Sequence, residues 1–153
     1  MSVYHRDVRQ YIAKKSSIGV KAAVIVLNDN GEILLLKRHG RDEWGVPIGS
    51  MKPGESMQDT ASRELWEESG LIADDMRLLD LLSGPQYVKK HRGGDEVYFV
   101  IGVYEAQGLR SAIDLPVDSE ISLKYCDVDN LPTMDKISVI LMDTIKKQID
   151  LKK

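Results

Sequence analysis

The chain has 153 residues, with 21 Lys and Arg against 24 Asp and Glu, a formal net charge of −3. That length fits a single domain spanning 1–153, and 42% hydrophobic with 29% charged content excludes a disordered or fibrous chain. The mild acid excess gives no general pull toward nucleic acid or anionic lipid. The single cysteine, Cys126, rules out an intrachain disulfide and reads as a small buried residue.

In chain order, residues 4–15 place Val8, Tyr11 and Ile12 at helical spacing, and 1–17 is read as an N-terminal helical extension. It has no apolar centre, so it is not read as a signal peptide, and no apolar run approaches the roughly 18 residues that cross a bilayer. A cytoplasmic protein with no membrane partner is expected. Residues 19–27 form an apolar, β-branched run that predicts a buried strand. Asn28-Asp29-Asn30-Gly31 is a strong turn signal, and 33–36 is a second strand expected to close a hairpin on the first. Residues 37–53 read as loop. Ser56 is a candidate N-cap for a helix over 57–69, with Gly70 at its C-terminal stop. Strands are predicted at 76–82, 97–105 and 121–126, with a polar loop over 84–96. A helix over 135–150 carries Ile137, Leu141, Ile145 and Ile149 on one stripe. Strands and helices mixed in one unit argue for an α/β fold, a sheet flanked by helices.

The chemistry concentrates in residues 49–71, GSMKPGESMQDTASRELWEESGL. With Glu64 at zero on a helical wheel, Glu68 falls near about 40° and Glu67 near about 300°. Three carboxylates thus share one face, beside an apolar face of Met57, Ala61 and Leu65. Like charges at i,i+4 cost a helix about 0.2–0.5 kcal/mol per pair, and anions toward the C-terminal end oppose the helix dipole. A hard divalent cation accounts for the arrangement, and oxygen-only ligands favour Mg²⁺ or Mn²⁺. Magnesium is often completed by substrate phosphates, which points to phosphoanhydride or phosphate-ester chemistry.

This segment resembles the Nudix box, G-x5-E-x7-R-E-U-x-E-E-x-G-U with U aliphatic. Gly49, Glu55, Arg63, Glu64, Leu65, Glu67, Glu68, Gly70 and Leu71 occupy every specified position. At background frequencies a match of this kind arises by chance roughly once in 10⁸ chains of this length. The resemblance implies the MutT-like Nudix fold, a mixed sheet between helices. It implies hydrolysis of a nucleoside diphosphate linked to another moiety X, with Glu64, Glu67 and Glu68 binding Mg²⁺ and Arg63 pairing with Glu55 to orient Glu64. It offers Gly49 and the preceding carbonyl as further metal contacts; that preceding residue is Ile48, where relatives often carry a second glycine. The catalytic set it implies is Arg63, Glu64, Glu67 and Glu68, with Glu120 as a later carboxylate, and the proton acceptor is Glu64, Glu67 or Glu120.

Arg38, after the second strand, and Lys89 and Arg92, in the loop cluster Lys89-Lys90-His91-Arg92, are candidate substrate-phosphate contacts. A solvated strand end and a soluble loop tip are the competing readings. Trp44 is expected to pack on the loop in preference to stacking on a base. His5, His39 and His91 lack zinc-ligand spacing. Pro85 and Tyr87 each fall one residue short of subgroup markers for ADP-ribose and diadenosine polyphosphates, so the substrate stays open among ADP-ribose, nucleotide sugars, dinucleoside polyphosphates and (d)NTPs. A pI near 5.6 does not favour nucleic acid as partner. The alternatives are an RNA-cap pyrophosphohydrolase and a non-catalytic nucleotide sensor or scaffold. The family's frequent dimerisation makes a homodimer a candidate assembly.

Overall fold

A ten-residue strand with partners on both edges organises the molecule, a computed structural model that describes residues 15–111 and 120–151. This central strand, β1 (Ser16–Ile25), runs parallel to β6 (Glu96–Ser111) from Ser16↔Glu96 to Ile25↔Glu105. On its other edge it pairs antiparallel with β3 (Ile48–Ser50). The far edge of β6 carries β4 (Leu71–Leu82) and, further along, β5 (Val88–Lys90), both antiparallel. The result is a five-stranded mixed sheet. A second, two-stranded sheet pairs β2 (Ile33–Arg38) with β7 (Ile121–Cys126).

β1 is apolar without alternation because both of its faces are covered. Ala22, Val24 and Val26 enter one core with Ala61, Leu65, Met76 and Tyr104, under helix α1 (Met57–Ser69). Ala23 and Ile25 enter the other with Ile33, Leu35, Ile101, Val103, Leu141 and Ile145, under helix α2 (Lys136–Leu151). Leu65 and Leu141 are fully buried, and each contributes about 1.5–3 kcal/mol of apolar burial. The expected sheet between helices is therefore present, and Cys126 is buried as expected.

The predicted hairpin needs correction. The Asn28 turn forms, its side-chain Oδ1 accepting from the Asn30 and Glu32 amides at 3.0 and 2.9 Å. Beyond the Leu27↔Ile33 pair and a bond from Leu34 N to Val26 O, however, the two strands part into different sheets. The edge of β1 that β2 would need is already taken by β3 and by Pro47, whose carbonyl accepts from Val24 N. Two short strands, β3 and β5, lie inside segments that the sequence reads as loop. β4 begins at Leu71, directly after the helix, and extends against the long outer arm of β6. The predicted N-terminal helix lies outside the described residues. No helix among the described residues is long and apolar enough to cross a membrane.

Candidate active site

The site is built on α1, whose boundaries follow from its ends. Ser56 Oγ accepts from Asp59 N at 3.0 Å and Asp59 Oδ2 accepts from Ser56 N at 3.2 Å, a reciprocal capping box. Gly70, at φ 74°, ends the helix in the left-handed conformation and donates to Trp66 O. Between these stops, Ala61 and Leu65 anchor the helix on the sheet. Glu64 and Glu68, which share that side, are carried into near-complete burial.

Arg63 ties the preceding loop to the helix. Its Nε and Nη2 donate to the two oxygens of Glu55 at 2.6 and 2.9 Å, a bidentate pair, and Nη2 also reaches Ser50 O at 2.9 Å. Nη1 donates to Glu64 Oε1 at 2.7 Å and to Glu67 Oε2 at 3.3 Å. The Arg63 guanidinium foremost, then the Lys52 amide, holds the Glu55 carboxyl down to about 2. Glu55 in turn raises Arg63 further above its ordinary value.

Glu64 lies flat against the backbone of Gly49: a Cβ there would fall within the Glu64 carboxylate. Glu68 is 5% exposed at its side chain; Oε1 accepts from Arg38 Nη2 at 2.9 Å, while Oε2 is buried without a hydrogen-bond partner. Burial first, then the adjacent Glu64 carboxylate, push the Glu68 carboxyl up to about 8, against the pull of Arg38. Glu67 behaves differently. Its side chain is 41% exposed and drawn to Arg63 one turn back. Among the described residues no three acidic, His or Cys side chains converge as a ready-made ligand cluster. The wheel places all three glutamates on one face; here Arg63 Nη1 bridges Glu67 to Glu64, with Glu67 the most exposed of the three.

The profile of the NUDIX domain matches residues 18–143. The chain belongs to the Nudix family. The RNA pyrophosphohydrolase of Yersinia enterocolitica is 39% identical over 56 residues, 37% of this chain and 32% of that protein. The match thus spans about a third of the length of such curated relatives. Among solved structures, the MutT NUDIX hydrolase from Burkholderia pseudomallei superposes with a TM-score of 0.66 at 23% identity, covering 83% of this chain and 97% of that one. An ADP compounds hydrolase superposes at 0.67 with 17% identity, covering 88% and 74%. These structures share the fold.

Three features of the Nudix box in this chain fit a hard divalent cation. Glu68 Oε2 is buried and unpartnered, Glu64 is laid on a backbone that tolerates no Cβ, and the donors are all oxygen. Glu64 and Glu68, with Glu67 adjoining, could hold it.

A cavity of about 480 Å³ opens beside Glu68. Arg38 and Lys89, both predicted substrate contacts, line it. Lys21, Arg41 and Lys136 add three more cations, against Glu43, Glu68 and Asp135. The structure does not bring Arg92 to this cavity; it is exposed in the turn that follows β5. Glu120 borders a second cleft of about 320 Å³ that shares Arg38, and its backbone carbonyl accepts from His39 N. Asp118 and Ser119 lie outside the described residues. Trp44 packs against the core with Lys124 and Lys37 ammonium groups 4.2 and 5.5 Å from its ring. Tyr87 is buried in the core.

Sequence reading missed Lys21 because it sits in an apolar run. Its Nζ lies 4.4 Å from the Phe99 ring centroid. Burial, then the Lys89 ammonium, push its pKa down, while Glu64, Asp135 and Glu68 oppose the shift. Asp135 was read only as a helix start. It caps α2 by accepting from Ser138 N at 2.7 Å and closes against Gly45, where a Cβ would collide with its carboxylate.

Proposed function

We propose that this chain is a single Nudix domain that hydrolyses, with Mg²⁺ or Mn²⁺, the phosphoanhydride of a nucleoside diphosphate linked to a moiety X. The observation that carries the reading is the Glu64–Glu68 pair, with a buried, unpartnered Glu68 oxygen, at the mouth of a cation-lined cavity. When bound, the metal would neutralise the two phosphates and acidify a water. Glu64 and Glu68 would hold it. Gly49, lacking a Cβ, gives the Glu64 carboxylate room, and Arg63 keeps Glu64 in place. Arg38 and Lys89 draw the substrate's phosphates into the cavity. Water attacks one phosphorus in line, the P–O bond to the bridging oxygen breaks, and a carboxylate takes the water's proton. Glu64 is committed to the metal, so we assign the proton to Glu67, which solvent reaches; Glu120 is the acceptor to compare with it. The buried Cys126 fits a reducing, cytoplasmic setting.

A sensor without turnover would not need Glu55, Arg63, Glu64, Glu67 and Glu68 all retained. The RNA pyrophosphohydrolase relatives make RNA a second substrate to test. The deciding experiment is a phosphate-release screen over ADP-ribose, nucleotide sugars, dinucleoside polyphosphates, (d)NTPs and capped RNA. Turnover with Mg²⁺ that stops in EDTA is expected. No turnover on any of them with metal present would reject the reading.

A further inference from the structure

We propose that Lys21, acting with Lys89 across Phe99, is a specificity-determining residue that selects substrates whose X group carries a further phosphate. The favoured class is a nucleoside triphosphate or a dinucleoside polyphosphate, over a nucleotide joined to a neutral sugar. The inference rests on the hydrolase reading above and names the substrate class of that same site.

Three adjacent strands build the feature. Lys21 on β1 is in register with Ile101 on β6, two residues from Phe99, so Lys21 and Phe99 emerge on the same face of the sheet. Lys89 on β5 is in register with Val97, two residues from Phe99 on the other side, and emerges on that face too. The three form one strip along the wall of the cavity that also holds Glu68 and Arg38.

The strip has the charge of an anion site. Lys21 is half-buried and Lys89 exposed, and both line the cavity; the Lys89 ammonium repels that of Lys21, while Glu64, Glu68 and Asp135 act on Lys21 in the opposite sense. Among the described residues no carboxylate comes within ion-pair distance of either. Two ammonium groups on one wall with no direct ion pair leave their hydrogen-bond donors available to a ligand of negative charge. A diphosphate spanning the Glu64–Glu68 end already engages Arg38. A further phosphate on X would reach Lys21 and Lys89, whereas a neutral sugar leaves their repulsion in place. Gly19 supports the geometry: a Cβ there would come within 2.8 Å of Phe99 Cε1, so the ring is seated against the backbone of β1 beneath the Lys21 ammonium.

The test compares wild type with Lys21→Gln and Lys21→Arg, each first checked for an unchanged melting temperature in EDTA. Turnover is measured with Mg²⁺ on ATP and diadenosine tetraphosphate against ADP-ribose and a UDP-sugar. Calorimetry follows inorganic tripolyphosphate binding in EDTA. Wild type is expected to prefer the polyphosphates. Lys21→Gln should lower the ratio of polyphosphate to neutral-X kcat/KM by about 10–100-fold, mainly through KM, with partial rescue by Lys21→Arg and a matching loss of tripolyphosphate affinity. An equal loss on all substrates, a wild-type preference for neutral X, or unchanged tripolyphosphate binding would overturn the proposal. If wild type turns over nothing, the hydrolase reading fails by itself. The tripolyphosphate arm then decides alone: weaker binding by Lys21→Gln supports the anion strip, and equal binding overturns it.

Discussion

Replacing Glu68 by Gln separates the stability of the site from its chemistry. In the folded, metal-free protein the Glu68 carboxyl sits at about 8 against an ordinary 4.5, because it is buried beside Glu64. The folded state therefore holds a proton between those values that the unfolded chain releases. Its contribution is fully present below about pH 4.5 and is lost as pH rises through about 8. At about 1.4 kcal/mol per unit, with relaxation around the charge, wild type should lose on the order of 2–4 kcal/mol across that window. Gln carries no charge to desolvate, and its amide can donate to the adjacent Glu64 carboxylate. In EDTA at pH 8, Glu68→Gln is expected to melt roughly 5–10 °C above wild type, and at pH 5 the two should nearly coincide. Millimolar Mg²⁺ should raise the wild-type transition and leave the variant's almost unmoved. The variant should lose at least about 10²-fold in kcat. Equal melting temperatures in EDTA at both pH values, or wild-type turnover by the variant, would refute the reasoning.

Gly49→Ala should displace the Glu64 carboxylate, since the new methyl group falls on it. Weaker Mg²⁺ activation and a loss of about 1–3 kcal/mol of stability are expected from metal titration of turnover and denaturant melts. Arg63→Gln removes the bidentate hold on Glu55. The folded Glu55 carboxyl, held down to about 2, contributes stability that is present above its unfolded value and fades as pH falls toward 2. In Arg63→Gln the melting temperature should therefore drop at pH 7 and depend less steeply on pH between about 5 and 2; an unchanged acid limb would reject the role given to Arg63. Comparing Glu67→Gln with Glu120→Gln assigns the proton acceptor: kcat should fall by about 10²-fold or more in the Glu67 variant and stay near wild type in the Glu120 variant.

Local signals carried further than pairing signals. The helix over Met57–Ser69 was legible to the residue, because Ser56 and Gly70 are stops whose chemistry acts within one turn. The strand over Ile121–Cys126 was equally plain from its composition and the turn after it. Partner choice was not legible. The turn at Asn28 predicts a hairpin, yet β1 gives that edge to three residues, Ile48–Ser50, too few to announce themselves as a strand. The box residues could be placed on one helical face, but a wheel holds no information about the depth of each: Glu64 and Glu68 are buried, while Glu67 stays part-exposed and is bridged to Glu64 by Arg63. Lys21 was hidden for a related reason. Its place in the cavity depends on the parallel register with β6, a contact between distant parts of the chain. The short strand β5 likewise divides Lys89, inside the cavity, from Arg92, in the turn beyond it.

A titration with Mn²⁺, followed by its electron paramagnetic resonance signal without substrate, tests the metal assignment most directly. Wild type should bind the ion with saturation, and Glu68→Gln and Glu64→Gln should each weaken it about tenfold or more while remaining folded. Undiminished Mn²⁺ binding when both carboxylates are replaced would contradict the account.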